Sequence, residues 1–445
     1  MNECLVTKLK GSVSADFPRL NEIILQFQRT VNPDGITTVR IATLKEVTCK
    51  IIGDGNFVSE TGTNIGKMTT GTGNVKLFIT SNVTAISVTN KRDIVALGHV
   101  NIAGADYVSR SSPLTPSNRL EDFKYLNISY MDIAHTQISG DISALAEMKS
   151  MSSLLMSNTQ VSGDISALAG LTALKTLSMS STQVSGNISA LAGLTALSSL
   201  TLPYTQIFGD ISVLTGMKAL SSLSMIDTQV SGDISALATL TALKTLSLSY
   251  TQVSGNISAL AGMKALIALS MPYTQVSGNI STLAGMKTLV SLSLANTQVS
   301  GDILALAEMK SLDTLSLSNT QITGDISALA GMTSLNALAE LKYLNLRGDL
   351  STLANSVRFI SNTGGSSEFS WSAKGTRNNI LACENVKIVS GADQFLIDMA
   401  SCSLNPPSSN ALYKAIKITA NVTTAANAAI ATLQGKGVTV AITPF

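Results

Sequence analysis

A chain of 445 residues is longer than one hydrophobic core normally serves, so either several domains or a repeat array is expected. Thirty basic against 28 acidic residues leave a net charge of +2, which supplies no long-range field to draw in nucleic acid or an anionic membrane. Hydrophobic residues make up 45%, but aromatics only 4% and charged residues only 13%, so the interior must be built from Leu, Ile, Val, Met and Ala.

The first 22 residues carry Glu3, Lys8, Lys10, Asp16 and Arg19 and lack the apolar run of a signal peptide. Ser, Thr, Gly and Asp recur too often anywhere for about 18 apolar residues to follow one another, so no membrane insertion is expected. Residues 1–118 read as β-rich. Ile23, Leu25 and Phe27 alternate, and further strand-like runs lie at 46–52, 75–80 and 85–89 between Gly, Asn and Asp turns. This region is expected to be an N-terminal β domain that also caps the array after it.

From there Thr-Gln recurs at Thr136, Thr159, Thr182, Thr205, Thr228, Thr251, Thr274, Thr297 and Thr320, each step being 23 residues. Residues 159–181, TQVSGDISALAGLTALKTLSMSS, make one unit. Within it Leu177 and Met179 alternate inward with the period of a strand, and Leu171 and Leu174 fill the layer beneath. Gly186 and Asn187 supply the turn that returns Ile188 and Leu191 to the core. A single coil cannot bury both faces, so stability must come from stacking coils at a strand spacing of about 4.8 Å. The Thr column is expected inside the turn, each hydroxyl bonding neighbouring backbone, with the Gln column as a candidate for the same role. After Thr320 the Leu rhythm persists at Leu344, Leu346, Leu350 and Leu353 without the Thr-Gln-Val-Ser segment, as an atypical terminal repeat would. Residues 355–445 then offer strands at 386–389, 416–419 and 438–442 and a helix near 424–433, begun by Thr-Thr and closed by Gly435.

The Leu spacing over residues 126–353 resembles the leucine-rich-repeat superfamily, and the SGDIxxLxxLxxLxxLxLxxT phrasing resembles its subclass with a second small strand at the GDI segment. The ends, LVTKLKGSVSADFPRLNEIILQF at 5–27, FSWSAKGTRNNILACENVKI at 369–388 and ATLQGKGVTVAI at 431–442, are similar to those of leucine-rich-repeat proteins encoded by gut Bacteroides and their phages or prophages. The resemblance implies a mainly β fold: a right-handed leucine-rich-repeat solenoid of 23-residue coils (119–354), an N-terminal β domain (1–118) and a C-terminal α+β cap (355–445). It carries over no catalytic residues.

Few residues point to chemistry. His99 and His135 are the two histidines, which leaves little for a metal centre or a catalytic triad. His99 reads as structural, and His135 falls at the exposed edge before a ladder Thr. Cys4, Cys49, Cys383 and Cys402 lie in the end regions without metal-ligand spacing and read as buried thiols, with one disulfide per end as the alternative. The column Asp141, Asp164, Asn187, Asp210, Asp233, Asn256, Asn279, Asp302 and Asp325 offers one side chain per coil, far short of the roughly 6 to 8 oxygens of calcium, and reads as turn-forming. Arg347-Gly348-Asp349 spells an integrin-type tripeptide, but its Gly-Asp is the repeat's own turn. No catalytic residue, cofactor or metal is expected.

The outward strand positions, among them Thr176, Ser178, Ser180, Ser222, Ser224, Thr245, Ser247, Ser249, Ser291, Ser293, Thr314, Ser316 and Ser318, form a nearly uniform hydroxyl lawn, poor in the side chains of protein hot spots. At its edge stand Tyr204, Tyr250 and Tyr273, which could stack on sugar rings, or which merely tolerate that corner. The leading expectation is therefore a non-enzymatic recognition or adhesion protein with a protein or glycan surface partner, with Tyr204, Tyr250 and Tyr273 as ligand-binding residues. The alternative is a structural spacer or assembly scaffold whose end domains dock to partners or oligomerise. The expected location is a virion or extracellular surface, with lysis releasing the protein, and the cytoplasm is the alternative.

Overall fold

The structure is a computed structural model. It describes the strands between residues 21 and 102 as backbone, and beyond them residues 119–123, 129–136, 138–335, 339–340, 343–353, 359–361, 367–372, 381–402 and 415–445. The chain divides into two compact units, Met1–Gly209 and Asp210–Phe445.

In the first unit the strand Val39–Ile52 pairs antiparallel with Phe57–Ile65, Gly73–Ile79 and Val83–Val88. Asn21–Phe27 pairs antiparallel with Gly73–Ile79 and with Ile94–Ile102, the strand that carries His99. The alternation at Ile23, Leu25 and Phe27 thus falls inside a strand. Val83–Val88 also pairs parallel with Tyr130–Asp132, joining Ile86 to Met131 in register. The N-terminal β region therefore hands its hydrogen-bonding edge directly to the first coil, which leaves that edge paired.

The coils share one plan, and the stretch from Thr176 shows why the sequence folds so. Thr176–Ser178 is a strand whose middle residue, Leu177, is fully buried while its neighbours are half-exposed, the two-residue alternation of a pleat. Met179 continues into the core, and at Ser181 the chain turns through a left-handed conformation, φ 56°. That turn aims the Ser181 N–H at the Pro203 carbonyl of the next coil, 2.9 Å away. The buried Thr182 hydroxyl then donates to the Met179 carbonyl at 2.8 Å, satisfying a backbone group the turn would otherwise orphan. A second strand, Gln183–Asn187, buries Val184. Its penultimate residue is Gly186, φ 112°, where a Cβ would sit 2.7 Å from Asp164 Oδ1 of the preceding coil. Both the conformation and the close approach require glycine there. Asn187 Oδ1 accepts from the Ser189 N–H at 2.9 Å and caps the 3₁₀ turn Ile188–Leu191, whose Ile188 and Leu191 are fully buried. Leu194 and Leu197 complete the layer before the next strand. Each such fully buried aliphatic side chain contributes about 2 kcal/mol.

Two rows of parallel strands result. In the first unit Ser153–Leu155, Thr176–Ser178 and Ser199–Thr201 pair in register, as do Gln160–Asp164, Gln183–Asn187 and Gln206–Asp210. In the second, Ser222–Ser224, Thr245–Ser247, Ala268–Ser270, Ser291–Ser293 and Thr314–Ser316 form one row. Gln229–Asp233, Gln252–Asn256, Gln275–Asn279, Gln298–Asp302 and Gln321–Asp325 form the other. These 23-residue, parallel, mainly β units are the coils of a leucine-rich-repeat solenoid. The second strand spans the Gln-to-Asp segment and so begins earlier than the GDI phrasing implied.

Coil pairing continues past Leu353. Phe359–Ser361 and Glu368–Ser370 extend the two rows, and the nine-residue strand Ala382–Ser390 pairs with both. Ala415–Thr419 and Thr439–Thr443 then add in parallel. A helix not expected from the sequence, Ala392–Ser401, starts at Gly391, φ 74°, and buries Phe395, Leu396 and Met399. Trp371 meets Phe395 edge-on at 5.1 Å and donates its indole N–H to Asp398. Lys436 Nζ closes the helix end by bonding the Ala400 and Cys402 carbonyls at 2.6 and 2.7 Å. The expected C-terminal helix begins as a 3₁₀ turn, Thr424–Ala426, capped by Thr423, and runs as α-helix over Asn427–Gly435. Cys383 and Cys402 are buried thiols that donate to backbone carbonyls, Cys383 to Leu381 and Cys402 to Asp398, and no disulfide joins them.

Candidate functional site

All nine ladder threonines do what the turn geometry asks. Their hydroxyls donate to the carbonyl three residues earlier at 2.6–2.8 Å, from Thr136 on Ile133 to Thr320 on Leu317. The Gln column differs from the expectation: Gln160, Gln183, Gln206, Gln229, Gln252, Gln275, Gln298 and Gln321 are exposed, because the strands they begin already pair the backbone that a side-chain ladder would serve.

The Asp/Asn column is a set of caps. Each side chain from Asp141 to Asp325 accepts a backbone N–H two residues on at 2.7–2.9 Å. The hydroxyl of Ser166 and its N–H hold the Asp164 carboxyl below the ordinary aspartate value, and the Ser235 N–H and hydroxyl do the same for Asp233. Asp349, of the Arg-Gly-Asp tripeptide, caps Ser351 and also accepts from Ser372. Burial pushes its carboxyl up, but the bonds from Ser372 and Ser351 outweigh that and hold it low. Among the described residues no group of three or more His, Cys, Asp or Glu is placed to hold a metal ion. No helix among them is long and apolar enough to cross a membrane.

The hydroxyl lawn bonds partly to itself. Ser157 meets Ser178 at 2.8 Å, Thr245 donates to Ser222 at 2.8 Å and Ser249 meets Ser270 at 3.1 Å, each linking adjacent coils. It is less uniform than expected: Ala268, Pro272 and Ala295 interrupt it, and Ile267 and Val290, on neighbouring coils at its far edge, are 43% and 39% exposed.

The candidate tyrosines occupy the left-handed corner of their coils. His135, Asn158, Ser181 and Tyr204 in the first unit, and Asp227, Tyr250, Tyr273, Asn296, Asn319 and Tyr343 in the second, all have φ between 53° and 61°. Asn and Asp accept this conformation readily, whereas a bulky side chain there is an outlier costing about 1–2 kcal/mol. Tyr204, Tyr250 and Tyr273 are 58%, 53% and 49% exposed. Tyr250 and Tyr273 stack on each other, ring centroids 4.4 Å apart and planes 12° from parallel. Their inner faces therefore cover each other rather than a ligand. Beyond them Asn319 Nδ2 donates to Asn296 Oδ1 at 2.8 Å.

Tyr343, 54% exposed, belongs to the same column and was not among the expected residues. The signal was present: YLNLRGDL at 343–350 aligns with YTQVSGNI at 250–257 on its Gly, but Leu344 stands where the ladder Thr would be, and the coil is one residue longer.

This geometry defines a leucine-rich-repeat fold without a visible reaction centre among the described residues. No family model matches the sequence, and no curated protein matches it. Solved structures do. The ectodomain of the Arabidopsis thaliana membrane receptor kinase GASSHO1/SCHENGEN3, in complex with CASPARIAN STRIP INTEGRITY FACTOR 2, is 23% identical with a TM-score of 0.59 over 72% of this chain and 39% of its own. The plant peptide hormone receptor RGFR1 in complex with RGF2 is 18% identical, TM-score 0.56, over 73% and 52%. The Arabidopsis receptor kinase HAESA, with the peptide hormone IDA and the co-receptor SERK1, is 17% identical, TM-score 0.53, over 69% and 53%. The match thus spans at most about half the length of each of these neighbours, and at such identity it shows the fold.

Proposed function

We propose that this protein is a non-enzymatic recognition scaffold that holds a neutral, hydroxyl-rich ligand, a glycan of a cell or virion surface, at the left-handed corner of its coils. The carrying observation is the tyrosine column. Tyr204, Tyr250, Tyr273 and Tyr343 stand half-exposed where Asn or Asp folds at lower cost, and residues retained in strained conformations concentrate at functional sites. The face beside them is dense in hydroxyls and nearly free of charge, which suits a neutral polyhydroxylated ligand better than an anionic one. That solved neighbours of this fold were captured with peptides or protein partners supports recognition as the class of function.

The second reading, a spacer whose ends dock, is favoured by the near-identity of the coils. It is also favoured by Thr439–Thr443, a terminal strand that pairs on one side, with Ala415–Thr419, among the described residues.

A glycan array probed with the intact protein and with a Tyr204→Ala/Tyr250→Ala/Tyr273→Ala variant separates the two, with light scattering to give the oligomeric state. Glycan signal that falls in the folded variant supports recognition. If the variant binds every glycan as the wild type does, the tyrosine corner is not the site. Discrete oligomers without any glycan signal favour the spacer.

A further inference from the structure

The corner column of the second unit is not a uniform edge. In order it presents Asp227, the stacked pair Tyr250 and Tyr273, the bonded pair Asn296 and Asn319, and Tyr343. From this order we infer that Tyr273, Asn296, Asn319 and Tyr343 form a notch that binds a short neutral saccharide lying along the column, Tyr273 and Tyr343 being its walls and the two asparagines its floor. The inference rests on the recognition reading and names its site and ligand class.

Three observations carry it. The near-parallel stack at 4.4 Å sets the planes of Tyr250 and Tyr273 across the stacking direction, since their coils are themselves about 4.8 Å apart. The outer face of Tyr273 therefore looks along the column, over Asn296, and an Asn side chain is too short to cover a phenol ring. Tyr250 backs Tyr273 from behind and fixes the wall. Secondly, Tyr343 lies three coils from Tyr273, about 14 Å at that spacing, or about 11 Å once the half-thickness of two rings is removed. That leaves room for a disaccharide lying along the column.

Thirdly, the floor is incompletely used. Asn319 Nδ2 donates to Asn296 Oδ1, and no other described residue bonds either side-chain amide, which leaves Asn296 Nδ2 to donate and Asn319 Oδ1 to accept. A donor and an acceptor held in register by each other match the paired hydroxyls of a sugar ring, while the ring's C–H face suits the negative face of a phenol. None of the four side chains is charged, so nothing in the notch calls for an anionic sugar. Few polar groups placed between apolar walls is the usual composition of a small-ligand site.

The test uses the intact protein with a length series of neutral gluco- and N-acetylglucosamine oligosaccharides, titrated calorimetrically. Tyr273→Asn and Tyr343→Asn remove the walls while keeping a residue that favours the left-handed corner, so both variants should fold, as circular dichroism would verify. Each is expected to weaken binding by about tenfold, the order of one lost aromatic contact. Phe208→Ser, at an exposed position of the strand Gln206–Asp210 where most other coils carry Ser, should leave it unchanged, and affinity should stop rising once the oligosaccharide fills the notch. If the wild type binds sugars but Tyr343→Asn binds them equally well, the notch is overturned and recognition stands. If the wild type binds none of them, both fall.

Discussion

A tyrosine at φ 56° forfeits about 1–2 kcal/mol that an asparagine would keep, and this asymmetry can be measured directly. Tyr204 is the cleanest case, since it is 58% exposed and no ring contact is found for it among the described residues. Tyr204→Asn is expected to raise the stability of the protein by about 0.5–1 kcal/mol in chemical denaturation. A loss of stability would show that the ring supports the coil, and the argument from strain to recognition would fail. At this scale the sequence was informative wherever a residue type has one physical use. The ladder threonines, the capping Asp and Asn and the inward leucines were all legible, because burial and turn chemistry leave them little freedom. What it concealed was orientation. The Tyr residues at 250 and 273 could be placed on one edge from their spacing, but whether their faces opened to a ligand or to each other depends on side-chain torsions that spacing does not set.

The coil as an element is held at its return by a single device, a side-chain oxygen on a backbone N–H, and Asp and Asn perform it interchangeably. Only the aspartates titrate. The Asp164 and Asp233 carboxyls lie below their ordinary value in the folded protein, so the unfolded chain takes up protons first as pH falls. Their contribution is complete above the unfolded value, near pH 4, and is lost as pH drops through the folded one. An Asp164→Asn/Asp233→Asn variant should therefore match the wild type at neutral pH, as the Asn187 and Asn256 caps at 2.9 Å imply, and lose less melting temperature between about pH 4 and pH 2. Equal acid losses would mean that these caps do not feel the proton. The coil was legible from its 23-residue period because every unit repeats the same constraints. The helix Ala392–Ser401 was not, since it is short, comes after a strand without a polar cap, and starts from a glycine in a left-handed conformation.

For the molecule as a whole the repeat announces itself, but its joints do not. The pairing of Val83–Val88 with Tyr130–Asp132 brings together segments distant in sequence, and no local pattern specifies which edge of a β region accepts the first coil. The same modularity permits a test at this scale. Because coils share one register, excising residues 229–251 joins Thr228 to Gln252, and excising 298–320 joins Thr297 to Gln321, each removing one whole 23-residue unit. In a nearest-neighbour array the two deletions should lower stability similarly and modestly, since each removes one coil and restores one equivalent interface. Their effects on recognition should diverge. The first takes away Tyr250 and leaves Tyr273, Asn296, Asn319 and Tyr343 in their order. The second takes away Asn319 and brings Tyr343 one coil closer to Asn296, narrowing the notch by about 4.8 Å. The first variant is therefore expected to keep binding the oligosaccharide, weakened only as far as Tyr273 loses the ring behind it, and the second to lose it, as titration would read. Should the two bind alike, the spacing of the walls does not set what the protein recognises, and the column would be a frame rather than a ruler.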